Sequence, residues 1–148
     1  MEALIGVLAG DGIGPEVTAE AVRVLKAVGA RYGHRFEFRA ALIGGAAIDA
    51  TGSAFPPATR RLCAEAHAVL LGAVGGPKWS SPDAPVRPEQ GLLDMRAAMG
   101  VYANLRPVVT HPSLYASSPL KEARLAGVNI LVIRELTGGI YFGRKERT

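Results

Sequence analysis

Short apolar runs alternate along this chain with longer segments of helical spacing, and that alternation leaves few architectures open. "LIGVLA" (4–9) is a continuous apolar run of strand length, as in a strand covered on both faces. Glycines follow, and Pro15 stands where a helix favours its first residue. "PEVTAEAVRVLKAVGARYG" places Val17, Ala21, Val24, Leu25 and Val28 at helical spacing, with Gly29 and Gly33 near its end. "RFEFRAAL" (35–42) alternates as a strand does, "GGAAIDATGSAFPP" reads as mostly loop with room for one helical turn, "PATRRLCAEAHA" as a helix and "AVLLGA" (68–73) as a second buried strand. "EQGLLDMRAAMG" is helical, "VYANLRPVV" extended, "PLKEARLAG" a short helix and "VNILVIREL" a further buried strand. Strand and helix in turn predict an α/β fold with a largely parallel sheet flanked by helices. Ligands bind such sheets beyond the carboxyl ends of the strands, and the loops 10–15, 73–88 and 134–141 leave such ends.

Composition narrows the function classes. The chain has 148 residues, the size of one domain, and a net charge of +4 without a Lys/Arg block interleaved with aromatics. A nucleic-acid surface is not indicated, and the arginine excess suits small acidic ligands better. Cys63 is the single cysteine, so no internal disulfide can form, which fits a reducing compartment. Its helical neighbours "RRLCAEA" favour a buried structural thiol over a nucleophile. The N-terminus is unlike a signal peptide and no apolar run reaches membrane-spanning length, so the expected location is the cytoplasm.

"GDGIGP" invites comparison with the dinucleotide fingerprint G-x-G-x-x-G, but its glycines are 10, 12 and 14, and Pro15 occupies the place of the third. No acidic residue closes the second strand either, so a tight strand-to-helix turn is favoured over a pyrophosphate cradle. Asp11 and Asp83 read as turn residues. Three arginines say more: Arg96 on a helix, Arg106 in the extended "NLRP", and Arg134 near the end of an apolar strand. Their forks match carboxylates, so a dicarboxylic acid would suit them, while ordinary surface or ion-paired arginines remain the alternative. Tyr141 could exchange a proton in a cleft or simply pack. Glu89 stands at a helix start, with Leu92 and Leu93 after it. Of two adjacent helical leucines, one can face the core and the other a ligand. No His, Cys, Asp or Glu shows metal-ligand spacing.

"LAGDGIGPEV", "GAVGGPKW", "RPEQGLLDMRAAMGVYANLRPV" and "VIRELTGGIYFG" together resemble the β-decarboxylating dehydrogenase family, in the family's order and across the whole chain. "GGPKW" and E-x-G-L-L-x-x-R point to its isopropylmalate branch. The resemblance implies NAD-dependent oxidation of a malate-type acid with Mg2+ or Mn2+, then loss of CO2. It would convert 3-isopropylmalate to 2-oxo-isocaproate in leucine biosynthesis. By the same resemblance Arg96, Arg106 and Arg134 bind substrate carboxylates, and Tyr141 assists proton transfer. Leu92 and Leu93 line the pocket for the isopropyl group, and Gly76, Pro77, Lys78, Trp79 and Glu89 stand on the nicotinamide side of the NAD site. The family fold is not a standard Rossmann fold, and its members are homodimers.

Residues 1–100 would then be the N-terminal part of the first, cofactor-side domain, and 101–148 the start of the second, substrate and dimerisation domain. The chain stops at less than half the usual family length, before the metal-ligating aspartates, the catalytic lysine and the adenine loop. The expectation is an incomplete fold, inactive in isolation, with open sheet edges and apolar faces. Ser80 stands where the branch usually carries an acid. The alternatives are another β-decarboxylating dehydrogenase (tartrate, homoisocitrate or isocitrate), and a non-catalytic chain that binds an anion or a full-length subunit.

Overall fold

The computed structural model describes residues 1–81, 83–136 and 146. The chain divides into two compact units, 1–99 and 100–148.

In the first unit β1 (Glu2–Gly10) is the central strand of a parallel sheet, flanked by β2 (Arg35–Ala40) and β3 (Ala68–Ala73). The registers pair Ile5 with Phe38 and with Ala68. Each parallel connection crosses over through helix: α1 (Gly14–Tyr32) links β1 to β2, while α2 (Gly44–Thr51) and α3 (Pro57–Glu65) link β2 to β3. The period-2 geometry of β1 separates the layers. Gly6 meets Leu62 and Ala66 on the α3 side, and Leu8, on the same side, joins Ile43, Phe55, Cys63 and Met95 in the core. The opposite side receives α1, where the Thr18 methyl approaches Gly72. After β3 comes a 3₁₀ turn (Pro77–Trp79), then α4 (Pro88–Met99), which packs on α2 and α3.

The second unit is a two-stranded antiparallel ladder of β4 (Ala103–Val109) and β5 (Asn129–Glu135), joined through a 3₁₀ turn (Pro112–Ser117) and the one-turn α5 (Glu122–Leu125).

The structure differs from the expectations at four places. Of the α1 positions expected to face the sheet, Ala21 and Leu25 are half-buried but Val17 and Val24 are 48% and 62% exposed, and the fully buried positions are Gly14, Thr18 and Gly29. A helix lying close on a sheet presents its small residues, which displaces the apolar stripe seen in the sequence. "GGAAIDAT" is a full helix, not a loop. β5 is not a buried strand, and it pairs antiparallel with β4 instead of joining the parallel sheet; Ile130 to Ile133 are all exposed. β3 is half-buried after its exposed first residue.

Candidate functional site

The turn between β1 and α1 is built by close approach. Gly10 has φ +74° and lies so near the Ala73 carbonyl that any Cβ would collide with it. Asp11 follows, 4% exposed, and its amide donates to Ala73 O at 2.7 Å. Its carboxylate is the junction of three segments. Oδ2 accepts from the amides of Gly45 and Gly75, each at 2.8 Å, and Oδ1 from the amide of Ala46 at 2.7 Å. The turn, the start of α2 and the exit of β3 are thus tied to one side chain. The strand-to-helix turn read from "GDGIGP" is what forms, but a turn aspartate understates Asp11.

Beyond Gly75 the chain carries the candidate nicotinamide-side residues. Gly75 has φ +106°, and a Cβ there would lie 2.7 Å from Glu89 Oε1, so the structure brings Glu89 of α4 against the start of this loop. Gly76 is half-buried, Pro77 and Lys78 are exposed, and the half-buried Trp79 ring packs on the Gly45 backbone. Asp49 of α2 accepts from Lys78 Nζ at 2.6 Å through Oδ2, and from Trp79 Nε1 at 3.2 Å through Oδ1. Lys78 Nζ also lies 5.2 Å from the Trp79 ring centre. The hydrogen bond from Lys78 holds the Asp49 carboxyl below its ordinary pKa; partial desolvation opposes this and the Trp79 bond adds to it. Ser80 donates to Gly76 O at 2.9 Å, closing the turn.

Along α4, Leu92 packs against the core cluster, whereas Leu93 and Arg96 are half-buried outside it. In the second unit, Arg106 lies opposite Val132 and Arg134 opposite Asn104. Residues two apart on a strand share a face, so both arginines project from one face of the ladder as diagonal neighbours, roughly 7–8 Å apart at the backbone. Both are exposed. Tyr141 lies outside the described residues.

Among the described residues no three His, Cys, Asp or Glu side chains converge as metal ligands, and no helix is long and apolar enough to cross a membrane. Cys63, buried in the core, has its thiol pKa pushed up by burial, the opposite of an activated nucleophile. Asp49 escaped the sequence reading and Asp11 was read only as a turn residue, since neither lies in a pattern that separates a buried junction or a loop anchor from a surface acid.

The sequence pattern of the isocitrate/isopropylmalate dehydrogenase family matches residues 4–148. A 3-isopropylmalate dehydrogenase of Anaeromyxobacter dehalogenans is 64% identical over 97% of this chain and 41% of its own length. One from Geobacillus kaustophilus is 60% identical over 95% of this chain and 38% of its own. The chain therefore spans about two-fifths of the curated relatives it matches. Among solved structures, isocitrate dehydrogenase from Methylococcus capsulatus aligns with TM-score 0.71 at 26% identity, over 95% of this chain and 37% of that one. A β-decarboxylating dehydrogenase from Thermococcus kodakarensis aligns with TM-score 0.63 at 32% identity, over 89% of this chain and 33% of its own.

Proposed function

The chain belongs to the isocitrate/isopropylmalate dehydrogenase family, and from that premise we propose that it serves as the N-terminal part of an NAD-dependent 3-isopropylmalate dehydrogenase. The reaction transfers hydride from the substrate C2 to NAD+, releasing the hydroxyl proton. The resulting β-keto acid loses CO2 from the carbon bearing the isopropyl group, leaving an enol that takes up a proton to give 2-oxo-isocaproate. Residues 1–99 supply the cofactor side and the rest of this chain begins the substrate side.

The observation that carries the substrate class is the shared face of Arg106 and Arg134. Two guanidinium forks at diagonal spacing suit a carboxylate pair, which they hold by paired charge-assisted hydrogen bonds. Arg96 of α4 is the third arginine of this reading. Leu93, beside it on the helix and outside the core, offers an apolar surface to the isopropyl group. A carboxylate set against that leucine would lose hydration, which disfavours isocitrate. Tyr141 is assigned the proton delivered to the enol carbon. NAD, when bound, accepts the hydride. The half-buried glycine pair at 75 and 76, with Glu89 beside it and the Trp79 ring near Gly76, is the backbone assigned to the nicotinamide end. The divalent cation of the family finds no donor set among the described residues, so no step here runs through it. Homodimerisation, a cytoplasmic location and a role in leucine biosynthesis belong to the same proposal.

The test joins this segment to the remainder of the Anaeromyxobacter relative and assays the enzyme with NAD+ and Mg2+. 3-Isopropylmalate should be turned over with a kcat/KM at least about a hundredfold above that for isocitrate or tartrate, the range a charged group misplaced in an apolar pocket produces. Equal turnover of isocitrate would sink the substrate assignment.

A further inference from the structure

We propose that Asp49, on α2, is a positioning residue for the loop 75–79, holding its far end while Asp11 holds its start. The inference rests on the cofactor reading above and adds to it a residue outside the loop that sets where the loop stands.

The loop itself has little to keep it in place. Its only regular structure is the three-residue turn Pro77–Trp79, and Pro77 and Lys78 are exposed. Its start is tethered by the Gly75 amide on Asp11, and its end by two donors on one carboxylate, Lys78 Nζ and Trp79 Nε1, each taking a different oxygen of Asp49. A lone exposed ion pair contributes little to stability. Here the same carboxylate also orients an indole packed on the Gly45 backbone, so side-chain rotation of Trp79 and Lys78 is restricted together.

The base that carries Asp49 is fixed. α2 begins with the Gly45 and Ala46 amides on Asp11, and Ala47 and Ile43 are fully buried. It ends at Gly52 in the left-handed conformation, whose amide returns to Ile48 O. Position is therefore transmitted from the buried Asp11 junction through one short helix to Asp49, and from Asp49 to the loop. Loss of Asp49 would free the loop without unfolding the helix, because the Asp49 side chain is 44% exposed and is not a member of the core cluster.

Trp79 is the only tryptophan, so its fluorescence reports this loop alone. In the chain itself, Asp49→Ala should shift Trp79 emission to the red and raise acrylamide quenching about twofold, as a freed indole becomes more accessible. In the full-length enzyme described above, the same variant should raise KM for NAD+ about fivefold with kcat within about twofold and an unchanged melting temperature, the split expected when uniform binding is lost. Asp49→Asn keeps an oxygen for the indole N–H but loses the Lys78 ion pair, and should fall between. Unchanged Trp79 quenching, an unchanged KM for NAD+, or a parallel fall of kcat and melting temperature would each overturn the inference. If the enzyme with Asp49 intact reduces no NAD+, the cofactor reading fails, and this inference with it. If that enzyme is active and Asp49→Ala behaves identically, the inference alone fails.

Discussion

Among the described residues Asp11 has no cation as a hydrogen-bond partner, and its carboxylate is held by three backbone amides from two distant segments. Removing the carboxylate would leave those amides unsatisfied at a largely buried junction, at about 1–3 kcal/mol for a fully buried group and less for those partly exposed. Asp11→Ala should therefore lower urea-unfolding stability by about 3 kcal/mol. Asp11→Asn should cost less, since one oxygen remains, although its NH2 must face an amide N–H. A loss under about 0.5 kcal/mol for Asp11→Ala would show that the junction is not rigid. Asp49 gives a pH signature at the same scale. Its carboxyl is held below the ordinary value, chiefly by the Lys78 hydrogen bond, so the contribution is present above the unfolded value and is lost as pH falls through the folded one. Trp79 quenching should stay flat from neutral pH down through the ordinary aspartate value and rise only below it; a step near pH 6 would point to a histidine instead. Neither aspartate was legible as a site. An aspartate in a glycine turn looks the same on paper whether its carboxylate meets water or three amides.

The helices show where periodicity suffices and where it misleads. α4 was legible in place and in kind, and its two leucines part company as adjacent helical residues must: Leu92 turns to the core and Leu93 does not. Leu92→Ala should lower stability by about 2–3 kcal/mol, a core truncation only partly buried at the outset. Leu93→Ala should leave stability within about 1 kcal/mol and raise KM for 3-isopropylmalate in the full-length enzyme. The reverse pattern would exchange their roles. α1 was legible as a helix and only partly in its inward face: Ala21 and Leu25 are half-buried as expected, but the fully buried Gly14, Thr18 and Gly29 carry no apolar signal. α2 was missed because two glycines and a run of alanines carry no periodic contrast, although the buried Asp11 carboxylate stands ready to hold its first amides. α3 places Cys63 in the core, and burial raises its thiol pKa. Alkylation by iodoacetamide at pH 8 should be slowed by on the order of a hundredfold relative to the urea-unfolded chain, since the thiolate is both scarce and shielded. As pH rises past the unfolded thiol value, this group also costs stability, because only the unfolded chain can then ionise it freely.

For the molecule as a whole, the α/β character and parallel strands of residues 1–73 followed from the sequence because each strand was framed by glycine turns and helices. The antiparallel pairing of β4 with β5 did not, because an apolar run states that a strand wants cover without stating what covers it. The ladder register makes the consequence specific. One face carries Arg106 and Arg134; the other carries Leu105, Pro107, Val109, Leu131 and Ile133, with Leu105 directly opposite Ile133. Leu105, Val109 and Ile133 are 60%, 67% and 62% exposed. A contiguous apolar sheet face of this kind promotes association. The purified chain should elute from a sizing column at concentration-dependent volumes in the range of about tens of micromolar, where exposed apolar surface drives assembly. It should also enhance the fluorescence of an apolar dye. Leu105→Lys with Ile133→Lys should restore a constant monomeric volume, since the added charges repel across the pair. The matching change on the arginine face, Val108→Lys with Ile130→Lys, should do less, because that face already bears two cations. A wild-type chain that elutes as a monomer at every concentration, or equal rescue by both pairs, would show that the face opposite the arginines is not the adhesive one.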